Sequence, residues 1–204
     1  MSKVNTIIFD LGGVLIDWNP KYLYRKVFDT EEQIDWFLNN ICTMEWNVEQ
    51  DAGRTFNKAT QHLVNQYPEH EKEIRIFYDR WTEMLGGEIK DSVALLQQLK
   101  QLNSHSLYAL TNWSAEAFPV ARQRFDFLQL FEGIVVSGEE NTRKPFKDIY
   151  EIIIDRYQLI PQKSVFIDDN FENVVGAKAV GMHGIHFKNS QQLINELNYL
   201  GVKL

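Results

Sequence analysis

TIIFDLGGVL, residues Thr6–Leu15, is the segment from which the fold of this chain follows. Its first half is a short run of β-branched and aromatic residues, a pattern typical of a strand buried on both faces. The run ends in Asp10, and two glycines, Gly12 and Gly13, follow almost at once. Paired glycines let the backbone turn sharply and approach a ligand closely. A carboxylate at this point lies where open α/β sheets bind ligands, although an aspartate that merely ends the strand fits the segment equally well.

The rest of the chain falls into two parts with different periodicity. Residues 20–85 show helical spacing of apolar residues and no strand alternation. From Asp91 onwards, helical segments alternate with short apolar runs, which we predict as strands at Ser106–Leu110, Gly133–Ser137, Ser164–Asp168 and Gly184–Phe187. Between the first two of these strands a helix is predicted to start at Ser114, with Pro119 marking a kink or a short first turn.

Strands that alternate with helices predict an α/β fold built on a parallel sheet. We therefore expect a Rossmann-like parallel sheet with helices on both faces and an inserted helical cap. The expected core consists of residues 1–17 and 88–204, and residues 18–87 are expected to form the cap inserted after the first strand.

The predicted cap contains three amphipathic helices. The first follows a capping box at Thr30–Gln33, the second is stopped by Pro68, and the third is stopped by Gly86-Gly87. Four tryptophans belong to this block: Trp18, Trp36, Trp46 and Trp81. We expect most of them in the core of the cap and at most one facing a substrate.

Composition excludes several classes of partner. The 204 residues carry a formal net charge of −7 with no basic block, which argues against nucleic acid and anionic membrane as partners. Cys42 is the only cysteine, so no internal disulfide forms, and a buried inert thiol is the expected reading. No apolar run reaches the length of a membrane span and no signal-peptide pattern opens the sequence. We expect a cytoplasmic protein and leave its oligomeric state open.

Polar residues mark the carboxyl ends of the predicted strands. Asp10 follows the first, Thr111-Asn112 the second and Asp168-Asp169 the fourth, while Arg143-Lys144-Pro145 lies in the loop after the third. These ends share one edge of a parallel sheet, so the residues are expected to converge. Taken singly, each has a simpler reading. Thr111 could end a strand, Asn112-Trp113-Ser114 could cap a helix, and Lys144 could be a solvated loop lysine. The adjacent acids repel each other without a partner and resist such a reading.

The four motifs Asp-x-Gly-Gly-Val, Leu-Thr-Asn, Arg-Lys-Pro and Phe-Ile-Asp-Asp-Asn occur in an order and spacing that resembles the haloacid dehalogenase-like hydrolase superfamily. The resemblance covers essentially the whole chain. It is strongest to bacterial sugar-1-phosphate phosphatases and to the phosphatase domain of soluble epoxide hydrolases.

Chemistry and resemblance together assign roles to the strand-end residues. Asp10 is expected to attack phosphorus and form an aspartyl-phosphate, with Lys144 supplying a positive charge to the transferring group. Three carboxylates cannot share one dry site as anions without a cation, and oxygen ligands select Mg²⁺. The resemblance implies the ligands Asp10, the Gly12 carbonyl and Asp169, with Asp168 in support. The residues expected to contact substrate are Thr111, Asn112, Trp113 and Asn173, the last with a lesser, orienting role.

Gly12 departs from the pattern of the superfamily. Many of its phosphatases carry a second aspartate two residues after the nucleophile, which serves as general acid and base. Losing that group costs about 10² to 10⁴ in rate. Either the leaving group departs with little help, as an anomeric sugar oxygen does, or another residue supplies the proton, with Asp17 the nearest candidate.

Three functions therefore stand as hypotheses. The first is a Mg²⁺-dependent phosphatase acting on a small phosphorylated metabolite, with a sugar phosphate as one candidate. The second is a 2-haloacid dehalogenase, in which the same aspartate attacks carbon; that branch needs no metal and lacks the acidic pair. The third is a weakly active relative that binds a ligand, for which Gly12 is the only support.

Overall fold

A computed structural model describes residues 3–204 of the chain. Within this range the strands are β1 (Thr6–Phe9), β2 (Ile16–Trp18), β3 (Leu85–Glu88), β4 (Ser106–Thr111), β5 (Gly133–Val136), β6 (Ser164–Asp168) and β7 (His183–His186). Five of them form one parallel sheet in the order β5-β4-β1-β6-β7. β1, the first part of the segment Thr6–Leu15, is thus the central strand of the sheet and is paired on both sides.

The helices of the described chain come in two groups. The block that follows β2 contains α1 (Lys21–Tyr24), α2 (Glu31–Asn40), α3 (Met44–Asn47), α4 (Phe56–Gln66) and α5 (Glu71–Asp79). The part after β3 contains α6 (Lys90–Leu102), α7 (Phe118–Arg124), α8 (Ser137–Glu140), α9 (Lys147–Tyr157), α10 (Phe171–Ala179) and α11 (Ser190–Tyr199). None of these helices combines the length and the apolar composition that crossing a membrane requires.

The two faces of the sheet pack against different helices because strand side chains alternate. Ile7 and Phe9 of β1 belong to a core cluster shared with α6, α7 and α11. Ile8 points to the other face and joins a second cluster with α9 and with Ala177 of α10. All three side chains are fully buried. The predicted α/β fold with helices on both faces is therefore confirmed.

The helix between β4 and β5 starts later than the sequence predicts. The expected start is Ser114, but α7 begins at Phe118 with Pro119 in its first turn. Proline is tolerated there because the first helical N–H groups lack an intrahelical acceptor in any case. Pro119 therefore marks the start of the helix, and no kink is needed.

The helical block has an apolar core of its own, which includes Ile34, Phe37 and Phe77. The capping box predicted at the start of α2 is confirmed, since Thr30 accepts a hydrogen bond from the Gln33 amide and the Gln33 side chain accepts one from the Thr30 amide. Cys42 lies in this core, 3% exposed, and burial raises the pKa of its thiol to about 12. A thiol in that state is inert, as the sequence indicated.

A short antiparallel ribbon joins the helical block to the sheet. β2 pairs with β3, and Gly86-Gly87 lies within β3. The prediction that these glycines stop a helix is therefore wrong: α5 ends at Asp79 and a 3₁₀ turn, Trp81–Met84, separates it from the strand. Gly86 has no room for a side chain because the Asp17 carboxylate and the Tyr22 ring lie against it. Both expected domain boundaries, 17/18 and 87/88, fall within this ribbon, and the division into core and cap stays a prediction.

Candidate active site

Asp10 occupies the end of the central strand. Its amide donates to the Ile167 carbonyl of β6 at 2.8 Å, and its Oδ1 accepts from the Leu11 amide at 2.7 Å. The residue is 7% exposed. The side chain is thus held at the sheet edge by the strand pairing itself, with access to a ligand from above the edge.

Lys144 bridges Asp10 to the neighbouring strand end. Its Nζ lies 2.9 Å from Asp10 Oδ1 and 2.7 Å from Asp168 Oδ2, and it donates to the Leu110 carbonyl of β4 at 3.0 Å. The residue is 1% exposed, so it is no solvated loop lysine. Burial lowers the pKa of its ammonium group, but the two carboxylates outweigh burial and leave the pKa raised. A fixed cation therefore stands between the two acids.

Asp168 is saturated with hydrogen-bond donors. Besides Lys144, it accepts from the Asn170 amide at 2.8 Å and from the Asn173 side-chain amide at 3.1 Å on both oxygens. It is fully buried. Such a carboxylate orients its donors, and we interpret Asp168 as the residue that positions Lys144. The Asn173 side-chain amide, which was expected to contact substrate, donates its hydrogen bonds to Asp168. A contact between Asn173 and substrate stays a prediction.

Three carboxylates gather at this edge, as the sequence predicted. One ligand atom from each of Asp10, Asp168 and Asp169 lies within 4.8 Å of the others. With Lys144 among them the formal charge of the group is about −2 when all three are ionised. Burial raises the pKa of Asp10, the Lys144 charge lowers it, and the Asp168 charge raises it. Together these effects leave the pKa of Asp10 at about 8. Burial followed by the Asp168 charge likewise raises the pKa of Asp169. A divalent, oxygen-seeking cation fits this charge and this donor set.

The two glycines after Asp10 play different structural roles. Gly13 has φ +70°, and a Cβ there would collide with the Asp169 carboxylate. Glycine is therefore required for the turn and for the approach of Asp169. Gly12 lies outside the left-handed region, and a Cβ on it would meet no atom within 4 Å. The position two residues after Asp10 is thus open space here.

Thr111 ends β4 and Asn112 follows it, and the two side chains differ in their hydrogen bonding. Thr111 Oγ1 is buried and has no hydrogen-bond partner within residues 3–204, an arrangement that leaves it free for an added ligand. The Asn112 side chain donates to the Lys144 carbonyl at 3.0 Å and accepts from the Lys144 amide at 2.9 Å. In this structure Asn112 therefore holds the backbone of the lysine, and its expected contact with phosphate stays a prediction.

A cavity of about 420 Å³ lies between the helical block and this edge. Gly12, Asp169 and Asn173 line it from the sheet side, and Trp113 lines it with its ring. The Trp113 amide donates to Ser137 Oγ at 3.0 Å, so the backbone at this position is already engaged.

The helical block contributes residues to the cavity that sequence reasoning missed. Asp51 lines it, from a loop without helical or strand periodicity. Trp18 and Trp81 both line it, which corrects the expectation of at most one such tryptophan in the block. Asp17, the expected substitute acid, does not line it: its carboxylate accepts a hydrogen bond from the Tyr22 hydroxyl at 2.7 Å. The one sequence feature that could have pointed to Asp51 as a cavity residue is its place in the short Asp51-Ala52-Gly53 turn, which contains a glycine.

Comparison with known proteins agrees with this geometry. The family model for haloacid dehalogenase-like hydrolases matches residues 4–181. Sesquiterpene phosphatase astK of Aspergillus oryzae is 31% identical over 194 residues, which cover 95% of this chain and 94% of that protein. Phosphorylated carbohydrates phosphatase of Thermotoga maritima is 24% identical over 187 residues, covering 90% and 84%.

The fold is also similar to that of solved structures. A HAD family enzyme from Bacteroides thetaiotaomicron, solved in complex with magnesium and inorganic phosphate, superposes with a TM-score of 0.67 at 21% identity, covering 91% of this chain and 94% of that one. The family match spans most of the sequence, and the two phosphatases align over most of their own length. This chain belongs to the haloacid dehalogenase-like hydrolase family and is an enzyme, a hydrolase.

Proposed function

We propose that this hydrolase is a Mg²⁺-dependent phosphatase that acts on a small phosphorylated metabolite through an aspartyl-phosphate on Asp10. The observation that carries the proposal is the buried Lys144, whose ammonium group contacts both Asp10 and Asp168 beside a third acid, Asp169. A cation fixed against a carboxylate at a sheet edge favours the ionised, nucleophilic form of that carboxylate against the effect of burial, and it attracts an anionic phosphoryl group.

The chain supplies the remaining groups for this reaction. The unpartnered Thr111 hydroxyl donates to a phosphoryl oxygen, and Asp168 holds the Lys144 ammonium group in place. Asp10, Asp169 and the Gly12 carbonyl would hold Mg²⁺, with Asp168 in support. When bound, the ion offsets the negative charge that the phosphoryl group adds to the three carboxylates.

The relatives support this choice within the family. Two of them are named as phosphatases, and a neighbour in fold was solved with magnesium and phosphate. A 2-haloacid dehalogenase would have no use for the pair Asp168-Asp169.

The metal requirement gives a direct test. We expect phosphate release from p-nitrophenyl phosphate to stop in excess chelator and to return with Mg²⁺. Replacing Asp169 by alanine removes a proposed ligand, so the Mg²⁺ concentration for half-maximal activity is expected to rise by at least about tenfold. Asp148→Ala, which removes an exposed acid at the start of α9, is the control and keeps the wild-type requirement.

Full activity in chelator would overturn the metal assignment. Release of halide from a 2-haloacid, unaffected by chelator, would establish the dehalogenase instead. No phosphate release from any phosphate ester in the presence of Mg²⁺ would favour a binding protein over an active phosphatase.

A further inference from the structure

The wall of the cavity is apolar on the side of the helical block. Its members are large and mostly aromatic or sulfur-containing: Met44, Val48, Phe56, Phe77, Trp81 and Met84. Trp18 of the ribbon and Trp113 of the sheet edge extend the same surface, and the rings of Trp81 and Trp113 lie edge to face with centroids 6.2 Å apart. A ligand held at the strand-end acids therefore projects its other end into hydrocarbon.

Polar groups on that wall are few. Asn47 lines the cavity, but its Oδ1 already accepts from the Tyr78 hydroxyl at 3.0 Å. Among residues 3–204, Asp51 is the one charged side chain that the helical block adds to the lining. Tyr78 of the helical block also lines the cavity, but its hydroxyl is already hydrogen-bonded to Gln50 and Asn47. The remaining polar lining residues belong to the sheet edge, where the phosphoryl group is proposed to bind. A sugar would bring several hydroxyls into this space and find few partners for them.

Met44 adds an independent sign of an apolar ligand. It lines the cavity and is 53% exposed, although a long apolar side chain gains nothing from contact with water. Flexible, polarisable methionines at the edge of a cavity are typical of surfaces that bind hydrocarbon.

We propose, on the basis of the phosphatase function above, that the substrate is the phosphate monoester of an apolar alcohol. The phosphoryl group lies at Asp10 and Lys144, and the hydrocarbon of the alcohol packs between Met44, Trp81 and Trp113.

A chain-length series tests the proposal. We expect kcat/KM for butyl, hexyl and octyl phosphate to rise about three- to fourfold with each added methylene until the cavity is filled. Glucose 6-phosphate is expected to be at least about 100-fold poorer than octyl phosphate. Met44→Gln, nearly equal in length, is expected to lower kcat/KM for octyl phosphate by a larger factor than for butyl phosphate. Leu102→Gln, a similar change at an exposed position of α6 that does not line the cavity, is the control and is expected to leave both close to wild type.

Two results would overturn the apolar substrate. One is a flat chain-length series with p-nitrophenyl phosphate hydrolysed normally. The other is glucose 6-phosphate matching octyl phosphate. Either leaves the phosphatase function intact, whereas absence of phosphate release from every ester, including p-nitrophenyl phosphate, overturns that function itself.

A second inference rests on a different observation, the state of Asp51. Its carboxyl lines the same cavity as Gly12 and Asp169, and it forms no hydrogen bond or ion pair with another described residue. The candidate nearest in sequence, Asp17, is engaged by Tyr22, and the space beside Gly12 is open. Asp51 is thus the one unengaged carboxyl that the helical block adds to the cavity lined by Gly12 and Asp169.

The charges around Asp51 come from several elements. Arg143 and Lys144 face it from the loop after α8, and Tyr78 faces it from α5. On its own segment, Glu49 lies 3.9 Å from Arg143, and Arg54 donates to Gln50 and to the Trp46 carbonyl. Burial raises the pKa of Asp51 to about 7 against the lowering effect of Arg143 and Lys144. A proton is therefore available on this group near neutral pH.

We infer that Asp51 is the general acid and base that Gly12 does not supply. As Asp10 oxygen bonds to phosphorus and the bond to the alcohol oxygen breaks, the Asp51 proton passes to that oxygen. Water then attacks phosphorus, the bond to Asp10 breaks, and Asp51 takes the proton of the water. The sum is one ester and one water consumed, one alcohol and one phosphate formed.

The test compares leaving groups. Asp51→Asn is expected to lower kcat/KM for hexyl phosphate by about 10² to 10⁴ and for p-nitrophenyl phosphate far less, because the aryl oxide departs without a proton. The wild-type kcat/KM for hexyl phosphate falls as pH rises through the pKa of Asp51, and the variant lacks that fall. Gly12→Asp in the Asp51→Asn background is expected to restore hexyl phosphate hydrolysis, since the space beside Gly12 is open.

Controls separate this role from a structural one. Glu49→Gln removes a neighbouring, half-exposed acid and is expected to affect both leaving groups little. An equal loss for both esters in Asp51→Asn would show that Asp51 acts only on structure. A leaving-group-dependent loss in Asp17→Asn, absent from Asp51→Asn, would transfer the role to Asp17.

Discussion

Replacing Asp10 by asparagine is expected to lower phosphate release by at least about 10³, because the amide cannot attack phosphorus. The change is nearly isosteric, and the side-chain oxygen of the asparagine can still accept from the Leu11 amide. The fold should therefore survive. Phosphate release from p-nitrophenyl phosphate in saturating Mg²⁺ measures the loss, and urea unfolding checks the fold.

Asp155→Asn is the matched control, since it makes the same change at an exposed position of α9. Wild-type turnover is expected from it. Trapping the phosphorylated intermediate adds a second readout: the wild-type protein should carry a phosphoryl group labile to hydroxylamine, and Asp10→Asn should carry none. Retained turnover in Asp10→Asn would remove Asp10 as the nucleophile.

Replacing Lys144 by methionine is expected to cost both turnover and stability. Methionine keeps the length of the side chain but leaves Asp10 and Asp168 buried together without a cation between them. Removing one partner of a buried ion pair lowers the free energy of unfolding by about 3 to 5 kcal/mol. Urea unfolding at pH 8 in chelator measures the loss.

The pH dependence of this defect has a definite sign. Without Lys144, the folded-state pKa of the Asp10 carboxyl rises further above its unfolded value, so the folded state holds protons more tightly. Stability is then retained at low pH and lost as pH rises through the folded pKa. Because the pKa of Asp10 in the wild type is already about 8, the deficit is expected to shrink as pH falls from about 9.5 to 8 and to change little below that. Lys147→Met removes an exposed lysine paired with Glu151 and should change stability little at either pH. A deficit independent of pH would argue that the acids are already neutral in the wild type.

The sequence alone determined the sheet and the group of acids at its edge. Parallel strands end at a common edge whatever the details of their packing, so Asp10 could be placed beside Lys144 and Asp168, both of which lie more than a hundred residues further along the chain. The alternation of strands and helices was sufficient for this step, because local periodicity determines which segments become strands.

The tertiary structure alone decided what surrounds those acids. Periodicity marks the apolar side of a helix, but it does not state which surface that side will face. Trp81 packs against the core of the helical block and also lines the cavity, and periodicity predicts only the first of these contacts. The ribbon of β2 and β3 was missed because a glycine pair resembles a helix stop until its partner strand is known.

Asp51 shows the same limit most clearly. It lies in an irregular loop, where no repeat predicts the direction of a side chain, and its place in the cavity with Gly12 depends on how the helical block packs over the sheet. Long-range packing sets that approach. The sequence by itself determined where Asp10 and Lys144 lie, and the fold of the helical block over them decided which groups line the cavity above.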